Sequence, residues 1–364
     1  MTSSPSALLT RFTYEPLPGR VVFRAGAARD ALAPELERLG VRRALVVATE
    51  AARPLAEELA GPLGERVAGV FDGVRPHVPV EVAQGARQMA ASLAADGVLS
   101  IGGGSTTGTA KAVALETGLP IVAVPTTYAG SEVTPVWGLT EGGRKTTGRD
   151  AAVLPRVVVY DPELTVSLPP AITGPSAMNA IAHCVEAFYA PGANPVTSLL
   201  AEEGIRALRR GAVAAVADPG DLAARSLTLY GAYLAGSAFA VAGSGLHHKI
   251  CHGLGGAYDL PHAELHTVVL PHVVAFNAAA IPAEMDRVAR ALDAPDPAAA
   301  LFDLGRDLGA PAGLKDIGLP DTALTQAVAV VLENDLSDNP RTADAPAMHA
   351  LLEDALAGTR PTVG

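Results

Sequence analysis

Along roughly the first 160 residues, short β-branched and apolar runs alternate with Ala-rich amphipathic stretches. ALVVAT (44–49), GVLSIGG (97–103), LPIVAVPTT (119–127) and RVVVYD (156–161) read as strands, because continuous apolar runs bounded by turn residues suit a strand buried on both faces. AARPLAEELAGPLG and VEVAQGARQMAASLAA carry apolar positions at helical spacing and read as helices between them. Strand–helix alternation of this kind predicts an α/β domain whose parallel sheet is covered by helices on both faces. After Asp161 the pattern changes. PVTSLLAEEGIRALRRGAVAAVA and DLAARSLTLYGAYLAGSAFAVAG hold helical spacing over long stretches, and strand-like runs become scarce. The second half is expected to be all-α. The prolines of DPELTVSLPP (161–170) mark the change, which predicts domains at residues 1–160 and 161–364.

A chain of 364 residues is long enough for two substantial cores. Although 49% of residues are apolar, no run approaches the ~20 needed to span a bilayer. MTSSPSALLTRFTYEPLPGR lacks the charged-then-apolar order of a secretory signal, so a cytoplasmic protein without a membrane partner is expected. The net charge of -11, with no cluster of lysines and arginines, argues against a nucleic-acid partner, because phosphate binding needs a basic footprint. The two cysteines, Cys184 and Cys251, make no disulfide framework. Each lies beside a histidine, which raises a ligand or redox role, but small buried hydrophobes are the simpler reading.

Chemistry enters first at Gly102-Gly103-Gly104-Ser105, which ends the GVLSI run and opens the helix-like TTGTAKAVALE. Glycines let the backbone approach a diphosphate, and a helix N-terminus offers it free N–H groups. The spacing is neither GxGxxG nor Walker, and a strand-to-helix turn without a ligand is the alternative. A second small-polar turn, Pro125 to Glu132 with Thr126 and Thr127, follows the next strand. In a doubly wound sheet both turns lie at the carboxyl ends of neighbouring strands, where ligands bind. Together they predict a dinucleotide site. ALVVAT ends in Thr49, where many such folds place an acid for the ribose 2′-hydroxyl; without the acid, both NADH and NADPH are expected to serve.

Nine histidines occur, and five of them lie between positions 247 and 266, in LHHKICHGLGGAYDLPHAELH. His248 and His252 are four apart and share a helix face; Asn179 and His183 repeat that spacing on another predicted helix. His262 follows a Gly/Pro-containing segment that lets the chain turn back. Facing pairs of this kind build metal or catalytic sites in helical domains. Asn179 limits the metal reading, since an amide is a poor ligand where an aspartate would neutralise charge. Three histidines alone can still hold zinc.

The turns GGGSTTGTAKA and TTYAGSE, with the histidine helices, resemble the iron-containing alcohol dehydrogenase family across nearly the full chain. AGSEVTPVWGLTEGGRKTTGRD (129–150), MNAIAHCVEAFYAPGANPVTSLLAEEGIRAL (178–208) and LHHKICHGLGGAYDLPHAELHTVVLPH (246–272) resemble its maleylacetate-reducing subgroup more closely. The resemblance implies a nucleotide-binding α/β domain joined to a helical catalytic domain, with a fold shared with dehydroquinate synthase. It further implies a homodimer that reduces maleylacetate, a dicarboxylate, to 3-oxoadipate with NADH or NADPH during the breakdown of aromatic compounds. In metal-dependent relatives the ligands fall at the positions of Asn179, His183, His248 and His262, with aspartate at the first. Asparagine fits the subgroup, some members of which work without metal. The middle of NDLSDNPRTADAP (334–346) departs from the subgroup and bears on the substrate.

These readings give a set of expected roles. His252 is first choice as proton donor, with His262 and His248 next, and His183 and Asn179 complete the cluster. Gly102, Gly103, Gly104, Ser105, Thr126, Thr127 and Thr49 bind the cofactor. Tyr128, Lys249 and Arg149, with Arg144 and Lys145 nearby, are candidates for the substrate. Metal is expected to be absent; His183, His248 and His262 would hold one if present. The competing readings are a metal-dependent alcohol or aldehyde dehydrogenase and a nucleotide-binding protein without chemistry.

Overall fold

The computed structural model describes residues 12–142 and 144–363, apart from the side chains of Arg144 and Lys145. Contacts divide the chain into a unit at Leu17–Leu168 and one at Pro169–Gly364.

The first unit is built on a six-stranded parallel sheet. Its strands are β1 (Arg20–Phe23), β2 (Ala44–Val47), β3 (Val67–Phe71), β4 (Gly97–Gly102), β5 (Ile121–Pro125) and β8 (Val157–Tyr160), in the order β1-β8-β5-β4-β2-β3. Every residue of β2, β4, β5 and β8 is buried, which is why these strands read as unbroken apolar runs. Alternate residues feed two cores. Val46, Leu99, Ile101, Val122 and Val124 pack with α1 (Ala27–Asp30), α2 (Leu32–Arg38) and α3 (Arg53–Ala60). Leu45, Val47, Val98, Ile121 and Ala123 pack on the other face with α4 (Val80–Ser92) and α5 (Gly104–Thr117). An antiparallel hairpin, β6 (Val136–Glu141) with β7 (Arg144–Arg149), stands apart from this sheet.

The contact division falls after Leu168, inside the proline-containing segment 161–170, and Asp161 helps to set it. Its buried carboxylate accepts the backbone N–H groups of Gly26 at 2.9 Å, Ala28 at 3.0 Å and Glu163 at 3.1 Å. This ties the 3-10 turn Pro162–Thr165 back to the start of α1 and keeps it with the sheet.

The second unit is helical: α6 (Pro170–Glu186), α7 (Pro195–Ala217), α8 (Leu222–Ala242), α9 (Leu246–Tyr258), α10 (His262–Asn277), α11 (Pro282–Leu292), α12 (Pro297–Asp307), α13 (Leu324–Leu332) and α14 (Ala345–Ala357). Asn194 and Thr197 form a capping box at the start of α7, with Pro195 at its first turn. Glycines let α7 and α8 approach closely: a Cβ on Gly211 would lie 2.6 Å from the Thr228 backbone nitrogen, and one on Gly231 would lie 2.9 Å from that of Leu208. Apolar residues of α9, α10, α13 and α14 share one core, including Leu254, Val269, Val331 and Leu352. That core fixes α9 and α10, which carry most of the histidines. Among the described residues, no single helix is long and apolar enough to cross a membrane.

Candidate active site

In the α/β unit the glycine turn joins β4 to α5, with Gly103 as the N-cap of α5 and Gly104 as its first residue. Each glycine is required by a close neighbour. A Cβ on Gly102, whose φ is +152°, would meet Thr106 Oγ1 at 2.4 Å. On Gly103 it would meet Thr127 Cγ2 at 2.9 Å, and on Gly104 the Ala129 Cβ at 3.2 Å. The two turns at the carboxyl ends of β4 and β5 therefore pack directly together, and the Thr126 N–H donates to the Gly102 carbonyl at 3.1 Å. The carbonyl of Gly103 accepts the N–H groups of Thr106 and Thr107. Ser105 lies in the first turn of α5, beside N–H groups that have no carbonyl one turn back. Thr49, just past β2, accepts the Ala52 N–H at 3.2 Å and caps the turn Glu50–Ala52. Its hydroxyl is half-buried and carries no charge.

Sequence reasoning missed the network that braces this region. Lys111, on α5, is wholly buried, and its Nζ donates to Thr134 O at 2.8 Å, Thr134 Oγ1 at 3.0 Å and Val136 O at 2.7 Å. Burial lowers its pKa to about 7, against the pull of Glu132. The Tyr160 hydroxyl donates to Glu132 Oε1 at 2.7 Å, and burial pushes the Glu132 carboxyl up. The lysine thus fastens the segment leading into β6 to the helix that begins at the glycine turn. A lysine within an Ala-rich helix gives no sign of this in sequence.

In the helical unit, α6, α9 and α10 bring the histidines together. The rings of His183 and His248 stack with centroids 5.1 Å apart, and Phe239 packs against both at 4.6 and 4.9 Å. His252 lies 5.8 Å from His248 and 6.5 Å from His262. His183 and His248 are buried, His252 is half-buried and His262 is exposed. The cluster is larger than expected. His266 is buried 4.8 Å from His248 and 4.3 Å from His262, and His247 donates from Nε2 to the His266 carbonyl at 3.0 Å. Both fall in the histidine-rich segment, and helical spacing from His262 to His266 was the available signal.

Glu186, one turn beyond His183 on α6, was also missed. Its fully buried carboxylate bonds His248 Nδ1 and accepts the backbone N–H of His248 at 3.3 Å. Burial pushes its carboxyl up, and those donors pull it back. Burial, reinforced by His248, holds His183 well below the usual histidine range. Burial brings His247 down to about 4 and, with neighbouring His262, lowers His266. The imidazoles of His183, His247 and His266 are thus neutral at ordinary pH. Burial also raises both thiols, so Cys184 and Cys251 are protonated, unreactive core residues.

The residues expected to meet substrate differ in exposure and partners. Tyr128 has no exposed surface. The Lys249 ammonium is already engaged: it donates to the Asp335 carbonyl at 2.6 Å and pairs with the Asp338 carboxylate. That partner lies in the 334–346 stretch that departs from the subgroup. Arg149 ends β7 and is exposed. The side chains of Arg144 and Lys145 lie outside the described residues.

The family metal finds a poor fit. Asn179, His183, His248 and His262 offer one amide and three imidazoles, with no anionic ligand to offset a divalent cation. Asn179 Oδ1 and His183 Nδ1 are buried without hydrogen-bond partners; among the described residues, histidine, cysteine and carboxylate atoms also converge within 4.8 Å of one another in two other groups. They belong to His247, Cys251 and His266, or to Glu186, His247 and His248. In the second group the carboxylate is occupied by His248 Nδ1 and the His248 backbone N–H.

Residues 18–162 match the iron-containing alcohol dehydrogenase family, and residues 173–356 match the C-terminal part of the Fe-containing alcohol dehydrogenase family. The chain is 49% identical to maleylacetate reductase from Burkholderia cepacia over 354 residues, covering 97% of this chain and all (100%) of that protein. The crystal structure of maleylacetate reductase from Agrobacterium tumefaciens is similar at a TM-score of 0.92 and 44% identity, covering 97% of this chain and 100% of that one. Sulfoacetaldehyde reductase from Bifidobacterium kashiwanohense, solved with NAD+, is similar at a TM-score of 0.86 and 25% identity, covering 95% and 99%. The parallel sheet with its glycine turn, the histidine-bearing helices and the matches to both halves agree: the chain belongs to the iron-containing alcohol dehydrogenase family.

Proposed function

We propose that this chain is an NADH- or NADPH-dependent reductase of maleylacetate, or of a substituted maleylacetate, and that it works without metal as a cytoplasmic homodimer. Hydride passes from nicotinamide C4 to the alkene carbon β to the ketone, and the alkene π pair moves to the ketone oxygen as an enolate. A proton then adds to the α carbon, giving 3-oxoadipate and the oxidised nicotinamide. The glycine turn and Thr126–Thr127 take the cofactor phosphates, and Thr49 leaves the ribose 2′ position open to hydroxyl or phosphate. The histidine cluster handles the proton and holds the enolate by hydrogen bonds.

The carrying observation is the donor set around Asn179: imidazoles made neutral by burial, beside an amide where a charge-balancing ligand would be needed. Reduction of an isolated carbonyl needs its oxygen polarised, which a Lewis-acidic metal does directly. Conjugate addition yields an enolate whose charge is already delocalised, for which positioned donors suffice. His252 is proposed as the proton donor because it combines contact to the buried rings with partial exposure, through which the proton consumed in the reduction enters from solvent. His262 and His248 flank it.

The test follows loss of NADH absorbance with maleylacetate and with simple aldehydes, before and after EDTA treatment. Rapid, chelator-resistant oxidation with maleylacetate alone is expected. Activity lost to EDTA and regained with iron or zinc would overturn the metal-free proposal. Turnover of aldehydes but not maleylacetate would favour a metal-type alcohol dehydrogenase.

A further inference from the structure

Lys249 sits on α9 three residues before His252, so the two side chains are neighbours on the helix surface. Its side chain is 22% exposed. Two acceptors fix the ammonium, the Asp335 carbonyl at 2.6 Å and the Asp338 carboxylate. An ammonium carries three N–H groups, and among the described residues the third of Lys249 meets no acceptor.

Both acceptors lie in residues 333–344, which join α13 to α14 without helix or strand. This strap is itself fastened down. Leu336 packs on the core shared by α9, α10, α13 and α14. Asn339 and the fully buried Asn277 exchange amide hydrogen bonds at 2.8 and 3.0 Å. Arg341 donates to the Phe276 carbonyl at 3.0 Å, and its guanidinium lies 4.3 Å from the centroid of the Phe276 ring. Phe276 and Asn277 end α10, so the strap is anchored on both helices that carry His252 and His262. A lysine side chain is ordinarily long and mobile. Held this way it has already given up that freedom, and its remaining N–H has a set direction.

We propose that the strap aims Lys249 at substrate. Lys249 is the specificity-determining residue that takes the carboxylate on the acetate arm of maleylacetate, and Asp338 is a positioning residue acting through it. A methylene separates that carboxylate from the ketone, so its charge is the same before and after reduction. It suits a cation already partly balanced by Asp338, because no new charge has to be met there. Such a contact holds ground state and transition state alike and acts on KM rather than kcat. The assignment rests on the reduction proposed above.

Steady-state kinetics at saturating NADH test it with maleylacetate and with cis-4-oxopent-2-enoate, which keeps the enone and lacks the acetate-arm carboxylate. Lys249→Met keeps an unbranched apolar stem and removes the ammonium. It should raise KM for maleylacetate about 10- to 150-fold, with kcat within about threefold. With cis-4-oxopent-2-enoate the same change should move KM by less than about threefold. Asp338→Asn should raise KM for maleylacetate about 2- to 10-fold. In the Lys249→Met background it should have no further effect. Lys249→Gln stands in if Lys249→Met fails to fold. An unchanged KM in Lys249→Met, or equal losses on both acids, overturns the proposal. So does an Asp338→Asn effect that persists without Lys249, which would mark the strap as structural only. If the unaltered protein reduces neither acid, the proposed reaction fails and takes this assignment with it. Normal turnover with an unchanged KM in the variants removes the assignment alone.

Discussion

Gly103→Ala tests whether the two packed turns form the cofactor site. Gly103 has φ -86°, a value open to any residue, so alanine adds no backbone strain there and acts through contact alone. Its Cβ would sit 2.9 Å from Thr127 Cγ2 and 3.1 Å from Thr127 Oγ1, both inside van der Waals distance. Thr127 Cβ lies at 3.6 Å, an ordinary contact. The clash therefore comes from the two atoms beyond Cβ on one side chain. Overpacking of this size costs about 1–3 kcal/mol. If the turns move apart to relieve it, NADH affinity falls by about 5- to 150-fold. Fluorescence titration of NADH measures this in Gly103→Ala, Thr127→Ala and the double variant. Thr127→Ala removes both clashing atoms, so the double variant should bind NADH better than Gly103→Ala, with a coupling of about 1 kcal/mol or more. An unaltered NADH affinity in Gly103→Ala, or additive losses in the double variant, would refute the assignment of this contact to the cofactor site.

Two further outcomes follow from the same structure. His252→Ala should lower kcat with maleylacetate by about 10²- to 10⁴-fold, with little change in melting temperature because the ring is half-buried; a loss below tenfold would transfer the donor role to His262 or His248. Lys111, brought down to about 7 from an ordinary value near 10.5, binds its proton more weakly in the folded protein than in the unfolded chain. Its contribution to stability is thus complete above about pH 10.5 and is lost as pH falls through about 7, a swing of up to a few kcal/mol. Urea unfolding at pH 7 and pH 10 should show Lys111→Met flattening this rise relative to the unaltered protein, and an identical pH dependence in both would refute it.

The fold was legible wherever burial was complete. The runs ALVVAT, GVLSIGG, LPIVAVPTT and RVVVYD became β2, β4, β5 and β8 because residues packed on both faces leave no polar alternation to confuse. β1 and β3, the two edges of the sheet, were not visible. Each is only partly buried and shorter on apolar signal. The β6–β7 hairpin was hidden for another reason: Arg144–Arg149 reads RKTTGR, a strand held by pairing with Val136–Glu141 rather than by a core of its own. At the site, intervals of four identified Asn179 with His183 and His248 with His252. The same rule does not reach Glu186, whose partner is 62 positions away, nor Lys111, whose acceptors are 23 and 25 positions away. Tertiary hydrogen bonds between buried polar groups leave no period in the sequence.

What sets the proposed chemistry is how few charges the helical unit keeps inside. Burial strips His183, His247 and His266 of positive charge, and both thiols stay protonated. Glu186 is the acid drawn into the cluster, and it is turned toward the N-terminus of α9 and His248 rather than toward Asn179. A divalent cation held by Asn179, His183, His248 and His262 would meet neutral side chains only, while the Glu186 carboxylate is held by His248 Nδ1 and the His248 backbone N–H. An aspartate at 179 would remedy this, and the chain does not carry it. Neutral imidazoles do serve an enolate: they donate hydrogen bonds without requiring a buried cation, and the half-buried His252 can bring in from solvent the proton that the α carbon takes up. The proposed reduction needs that much and no more, because conjugation in the substrate supplies the charge delocalisation that a metal supplies to an isolated carbonyl.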